Sequence, residues 1–148
     1  MIVGHLVKCQ GMEMATPQTT ANDLPIAGAL ATDIEATNFE LDPHLISLLW
    51  CEPFFSKILR VVTKVRPDRL PTAAVQQTHG DIKMWWNPKF VAGLSPQQVK
   101  GLLKHECYHL VFDHTTTGRH DPHRVWNYGT DLSINSMIPE EEHPEGGL

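Results

Sequence analysis

Cysteine, positive charge and long apolar runs are all scarce in this 148-residue sequence, and each scarcity excludes a class of protein. The three cysteines, Cys9, Cys51 and Cys107, are widely spaced and include no CxxC pair. Neither a disulfide framework nor a cysteine-based zinc knuckle is therefore expected. This use of cysteine is typical of a protein in the reducing cytoplasm.

Positive charge is outnumbered, since 12 Lys and Arg stand against 17 Asp and Glu for a formal net charge of −5. No basic stripe follows from such a composition, so nucleic acid is not the expected partner. The longest apolar run, Leu45 to Cys51, is interrupted by Ser47 and is far shorter than the ~20 residues of a membrane helix. Lys8 and Gln10 interrupt the segment that would be apolar in a signal peptide. We expect a cytoplasmic protein that binds no membrane.

Length and hydrophobic content predict one folded domain with a polar segment at each end. The 148 residues, 41% of them hydrophobic, are enough for a single buried core. Residues 1–23 show no sustained periodicity and are predicted to be a flexible leader. Residues 24–140 are predicted to form the domain, and residues 141–148 an acidic tail that ends in glycines.

The first part of the domain has a helical pattern. Apolar residues recur at spacings of three and four between Leu24 and Arg66, as in helices that face a core. Asp42-Pro43 and Glu52-Pro53 each place a proline at the first position of a helix, after an acidic residue. Several short helices are therefore predicted, and their role is to build the scaffold.

Two strands are predicted after the helical region. The segments Ala73 to Thr78 and Ile82 to Trp86 flank a His79-Gly80-Asp81 turn, which predicts a β-hairpin. The second strand could bind an extended substrate by edge pairing. Trp85 and Trp86 alternate faces there, so one can enter a cleft while the other packs in the core, or both can simply anchor the hairpin. The fold class expected is α+β, mainly helical with a small antiparallel hairpin.

Two further helices follow the hairpin. Ser95-Pro96 and Gln98 form the pattern of a capping box, which predicts a helix from Pro96 to about Asp113. Asp121-Pro122 starts the next helix in the same way, and this helix is predicted to run to Ile138, before Pro139.

The capped helix carries the HExxH pattern as His105-Glu106-Cys107-Tyr108-His109. At about 100° per residue, His105 and His109 lie on one face, where both imidazoles can reach one Zn²⁺. Glu106 lies beside the ion, and there it can act as the general base that takes a proton from a metal-activated water. The alternative is a pair of ordinary surface histidines.

The pattern of apolar residues on this helix favours the metal site. The predicted apolar face lies opposite the histidines, so they are left to face a cleft. This face consists of Val99, Leu103, Cys107, Leu110 and Val111. Cys107 is accordingly expected to be a small buried side chain and not a ligand.

A catalytic zinc usually has a third protein ligand, for which Asp131 is the favoured candidate. Asn127, Asp131 and Asn135 recur at spacings of four and form a polar stripe on the last helix. The asparagines are then neighbours that can orient the carboxylate. Alternatively, all three residues face solvent or cap nearby loops.

Several histidines are rivals for the third position. The metzincin extension is excluded, because Phe112 and Thr115 stand where that motif has its Gly and His. His114 would lie 180° from His105 if the helix continued, so it can be a ligand only if the chain turns sharply, and a role at the helix end is preferred. His120 and His123 lie at the start of the last helix and are expected to be exposed.

The segment from Ala73 to Asn135 resembles a known family. Its features are the strand pair, Asn87-Pro88 followed by Phe90, the HExxH helix followed by His114, and the run WNYGTDLSIN from Trp126 to Asn135. In these motifs the chain is similar to the metallopeptidase domain that precedes von Willebrand factor A-like modules in bacterial proteins, often encoded beside MoxR-type AAA+ ATPases.

The resemblance implies a zincin-like fold and a zinc site made of His105, His109 and Asp131, with Glu106 as the catalytic residue. It also implies a peptide or protein substrate, and a von Willebrand factor A-like module or a MoxR-type ATPase as a partner. The competing hypothesis is a zinc-binding interaction module that works with such a partner and hydrolyses nothing. A helical domain without metal is the third.

Overall fold

The computed structural model of the chain describes Ala36 and residues 38–67, 70–116 and 120–144. The predicted leader, residues 1–23, lies outside the described residues. In the described part of the chain, no helix combines the length and the hydrophobicity that crossing a membrane requires.

Helices and a small sheet alternate along the described chain, which confirms the α+β class. In chain order the elements are α1 (Asp42–Cys51), α2 (Pro53–Arg60), β1 (Thr63–Val65), β2 (Ala73–Thr78), β3 (Asp81–Trp86), α3 (Pro88–Ala92), α4 (Pro96–Val111), α5 (His123–Asn135) and a 3₁₀ turn (Glu140–Glu142).

The sheet has the order β1-β3-β2, so the predicted hairpin is only part of it. β2 and β3 pair antiparallel from Ala73 opposite Trp86 to Thr78 opposite Asp81. The turn consists of His79 and Gly80, both with positive φ, which is the backbone that two-residue hairpins favour. The prediction of helix through Arg66 is wrong at Thr63–Val65, because this segment pairs parallel with β3 instead.

The core lies between α1, α2, the sheet and α4. The helical stripe predicted from the sequence supplies much of it, since Leu48, Phe55 and Leu59 are buried. Leu49 and Phe54, which are apolar residues of the same region and are also expected to face the core, are instead about half exposed. The two helices are too short and too sharply separated at Glu52 for one continuous face to be buried.

Helix α4 crosses this core and begins where the sequence predicts. The Ser95 hydroxyl accepts from the Gln98 backbone at 3.2 Å, and the Gln98 side chain accepts from the Ser95 backbone at 2.9 Å. These two bonds satisfy backbone N–H groups that the helix itself leaves without partners, so they fix its start. Val99 and Cys107 are fully buried, as predicted, whereas Val111 is exposed because the helix ends there.

The C-terminal segment packs on α4, although the sequence predicts an acidic tail from residue 141. Glu142 is buried, with its carboxylate 2.5 Å from Lys100 Nζ and 3.0 Å from Lys104 Nζ. Its backbone lies so close to Gly101 that a Cβ at that position would overlap the Glu142 carbonyl. Two lysines neutralise the buried carboxylate, and a glycine permits the close approach of residue 142 to α4.

Candidate metal centre

Helices α4 and α5 together build the site, since α5 packs across the part of α4 that carries the HExxH residues. Ile134 of α5 is fully buried, and it anchors α5 on the side opposite its exposed residues. The i, i+4 spacing puts His105 and His109 on one face of α4. Asp131 of α5 lies opposite this face.

Three donor atoms converge at this contact. His105 Nε2 and His109 Nε2 are 2.9 Å apart. The Asp131 Oδ1 atom lies 3.2 Å from the His109 nitrogen and 3.7 Å from the His105 nitrogen. One ion could therefore reach all three atoms. Within the described part of the chain, His105, His109 and Asp131 form the group of side chains that is placed to hold a metal ion.

The charge state of Asp131 suits a cation ligand. Burial by itself would raise the pKa of this carboxyl, but hydrogen bonds from His105 and His109 outweigh that effect and lower the pKa. The group is therefore an anion near neutral pH, and it faces the Nε2 atoms of His105 and His109.

The remaining ring nitrogens of both histidines also have partners. His105 Nδ1 lies 3.0 Å from the Asn135 side-chain oxygen, and His109 Nδ1 lies 3.2 Å from His114 Nδ1. The sequence predicts Asn135 as a neighbour that orients Asp131, whereas the structure places it on His105. The reason is that Asn135 is one turn beyond Asp131 and therefore lies over the earlier histidine of α4.

Glu106 is buried in the same cleft, with only 5% of its surface exposed. Burial raises the pKa of this carboxyl, and the nearby His105 and His109 oppose the shift. A hydrogen bond from the Val75 backbone fixes the carboxylate against β2. A buried carboxyl with a raised pKa beside a group of metal-type donors is the environment expected of a general base.

The cleft around these residues has a volume of about 250 Å³. Its walls are the first residues of β2, the HExxH face of α4, residues 114 and 115, and one face of α5. Asn127 and His123 of α5 also line it.

The structure also places the rival histidines. α4 ends at Val111 and the chain does turn sharply, so His114 lies in the cleft, yet it contacts the far side of the His109 ring and not the three donor atoms. His120 and His123 are exposed, as predicted, and His120 packs against the Trp126 ring.

The predicted substrate-pairing strand is wrong. Residues Ile82 to Trp86 belong to β3, which is the central strand and is paired on both sides. Trp86 is buried beneath the Arg66 guanidinium, and Trp85 lines a separate hollow on the hairpin, so neither tryptophan enters the metal cleft. The strand beside the cleft is β2. The sequence cannot reveal this, because strand order depends on β1, a segment with a helical pattern.

Cys107, the middle residue of the motif, takes no part in the donor group. Its side chain is fully buried, and burial raises the pKa of its thiol to about 12, with Glu106 contributing further. A thiol that stays protonated is a poor metal ligand, in agreement with the prediction that it is a core residue.

Comparison with known proteins gives one family. The profile of the family described as "Putative metallopeptidase domain" matches residues 39–146. A curated protein of Thermotoga maritima, named "Uncharacterized protein", is 32% identical over 65 residues, or 43% of this chain. The matched part is 16% of that relative's length. No solved structure matches the chain.

Proposed function

The chain belongs to the family described as "Putative metallopeptidase domain", and from this premise we propose that it is a zinc-dependent peptidase of the zincin-like type. In this proposal His105, His109 and Asp131 hold the ion, and Glu106 is the catalytic residue. The observation that carries the proposal is the convergence of three donor atoms beside a buried carboxyl.

The donor set fits zinc in both chemistry and spacing. Two imidazole nitrogens and one carboxylate oxygen are a common three-ligand set of catalytic zinc sites. Tetrahedral ligands about 2.0–2.1 Å from zinc lie roughly 3.3 Å from one another. The three separations here, 2.9, 3.2 and 3.7 Å, bracket that value. When bound, zinc would polarise a carbonyl and make water more acidic.

Glu106 moves the proton in the proposed reaction. It takes a proton from water while the water oxygen forms a bond to the scissile carbonyl carbon. It then delivers that proton to the amide nitrogen, so that the C–N bond breaks and a free amine leaves. The Val75 hydrogen bond keeps the carboxylate in place during both transfers, and burial excludes bulk water from it.

We propose that the edge of β2 holds the peptide substrate. Among the described strands, β2 pairs only with β3. The Asn87 N–H donates to the Thr72 carbonyl at 2.8 Å, so Thr72 faces β3. Since successive residues of a strand alternate in direction, the backbone N–H and carbonyl of Ala73 and the carbonyl of Val75 face the open edge, where the Val75 N–H bonds to Glu106. An extended peptide could pair there, alongside Glu106.

A second candidate function is supported by the surface of α5. Val125, Tyr128 and Leu132 lie on one side of this helix and are each more than 60% exposed. Such a stripe favours contact with another protein. The chain could therefore act as a zinc-binding module that docks on a von Willebrand factor A-like module or a MoxR-type ATPase, without hydrolysis.

One experiment separates these functions. Protein purified without chelators is expected to contain about one zinc per chain, and to cleave an unstructured protein whose fragments are identified by mass spectrometry. The Glu106→Gln variant keeps the side-chain shape but loses the base, so at equal zinc loading we expect cleavage to fall by ~10²-fold or more. Full zinc content with no cleavage by wild type favours the interaction module, and protein that refuses zinc excludes both functions.

A further inference from the structure

We propose that His114 is a positioning residue for the metal centre, because its Nδ1 atom accepts a hydrogen bond from His109 and thereby aims His109 Nε2 at the ion. This inference rests on the proposed function, since it requires His109 to be a ligand. It starts from the contact between the two Nδ1 atoms, which are 3.2 Å apart.

The chemistry of imidazole sets the direction of this hydrogen bond. A neutral imidazole carries one proton, so a ring that binds metal through Nε2 must carry its proton on Nδ1. His109 Nδ1 is therefore the donor and His114 Nδ1 the acceptor. It follows that His114 is neutral and carries its own proton on Nε2. His105 has the equivalent arrangement, with the Asn135 side-chain oxygen as its acceptor.

The end of α4 delivers His114 to this position. The Asp113 N–H bonds to the Leu110 carbonyl and the His114 N–H bonds to the His109 carbonyl. Asp113 has a φ of 55°, in the left-handed region. These features define a Schellman motif, in which the sixth residue returns to contact the first.

The two residues that meet in this motif are His114 and His109. In most helices that contact is between apolar side chains, whereas here it joins two imidazole rings with centroids 5.3 Å apart. Trp126 of α5 also contacts the His114 ring, edge to face, with centroids 5.9 Å apart. The helix-ending motif thus supplies the partner of a ligand, and α5 holds that partner in place.

Substitutions at residue 114 distinguish this role from a purely structural one. In His114→Asn the amide oxygen can take the place of Nδ1, whereas His114→Leu removes the acceptor but suits the apolar contact of the motif. We expect Leu to weaken zinc binding about 10–100-fold and Asn to restore most of it, as measured by competition with a chromophoric chelator. His44→Leu is the control, since His44 lies on α1, outside the residues that line the cleft, and no change is expected.

Tighter zinc binding in His114→Leu than in His114→Asn would overturn the inference, because a residue that serves only the helix end should tolerate Leu better than Asn. Wild-type protein offers a test that needs no variant. In the zinc-loaded protein, nitrogen NMR should detect a scalar coupling between His109 Nδ1 and His114 Nδ1 across the hydrogen bond, and its absence would also overturn the inference. If wild type binds no zinc, the proposed function fails as well, whereas tight zinc binding that is equal in Leu and Asn variants refutes the role of His114 alone.

Discussion

The Asp131 carboxylate lies 3.2 Å from His109 Nε2, although the two residues belong to different helices. The donor group therefore exists only while α5 is docked on α4. The hydrogen bond between Asn135 and His105 and the contact of Trp126 with His114 contribute to this docking, and Ile134 of α5 is buried. Metal binding and the packing of α5 should consequently stabilise each other.

Asp131→Ala should weaken zinc binding by ~10²-fold or more, because it removes one of the three proposed ligands and the negative charge of its carboxylate. The loss should exceed that of His114→Ala, which removes a partner of a ligand and not a ligand. Chelator competition ranks the variants, with Val125→Ala as a control on the same helix as Asp131, because Val125 is exposed and lies outside the cleft. A larger loss in His114→Ala would show that Asp131 is not the third ligand.

Gly101→Ala should destabilise the protein by about 1–3 kcal/mol, since the new methyl group has to displace the Glu142 backbone from α4. The measurement is urea unfolding followed by circular dichroism. Gly129→Ala is the matched control, because Gly129 also lies within a helix but has open space around it. There the better helix propensity of alanine should stabilise by about 0.5–1 kcal/mol. Equal effects at both positions would contradict the close packing of the C-terminal segment.

Ala73→Pro should raise KM for a peptide substrate several-fold while changing kcat less. Proline removes the backbone N–H that Ala73 presents at the open edge of β2, but leaves the hydrogen bonds to β3 intact. Gln77→Pro is the control, because residue 77 presents its N–H at the same edge but outside the residues that line the cleft. Steady-state kinetics of both variants would refute pairing at β2 if the two substitutions raised KM equally.

Local sequence signals predicted the elements whose formation depends on neighbouring residues. The capping box at Ser95 and Gln98 set the start of α4, and turn residues marked the hairpin between β2 and β3. The spacing of His105 and His109 placed both on one helical face, because a helix repeats every 3.6 residues whatever surrounds it. These features follow from short-range hydrogen bonding and helical geometry.

Contacts between distant segments decided the rest. Thr63–Val65 became a strand because β3 offered a parallel partner, and that pairing made β2 the strand at the cleft. Burial of Glu142 required two lysines and Gly101 on another element. The roles of Asp131, Asn135 and His114 stayed open in the sequence, because a polar stripe or a lone histidine has no partner until helices pack.

A well-capped helix with two histidines and a carboxylate in fixed relation follows from local residues alone, since backbone geometry sets their spacing. Tertiary structure decided which further groups meet them: Asp131 and Asn135 through the docking of α5, Val75 through the order of the strands, and His114 through the turn that ends α4. The physical reason is that these contacts depend on packing between segments far apart in the chain, which local propensity does not encode.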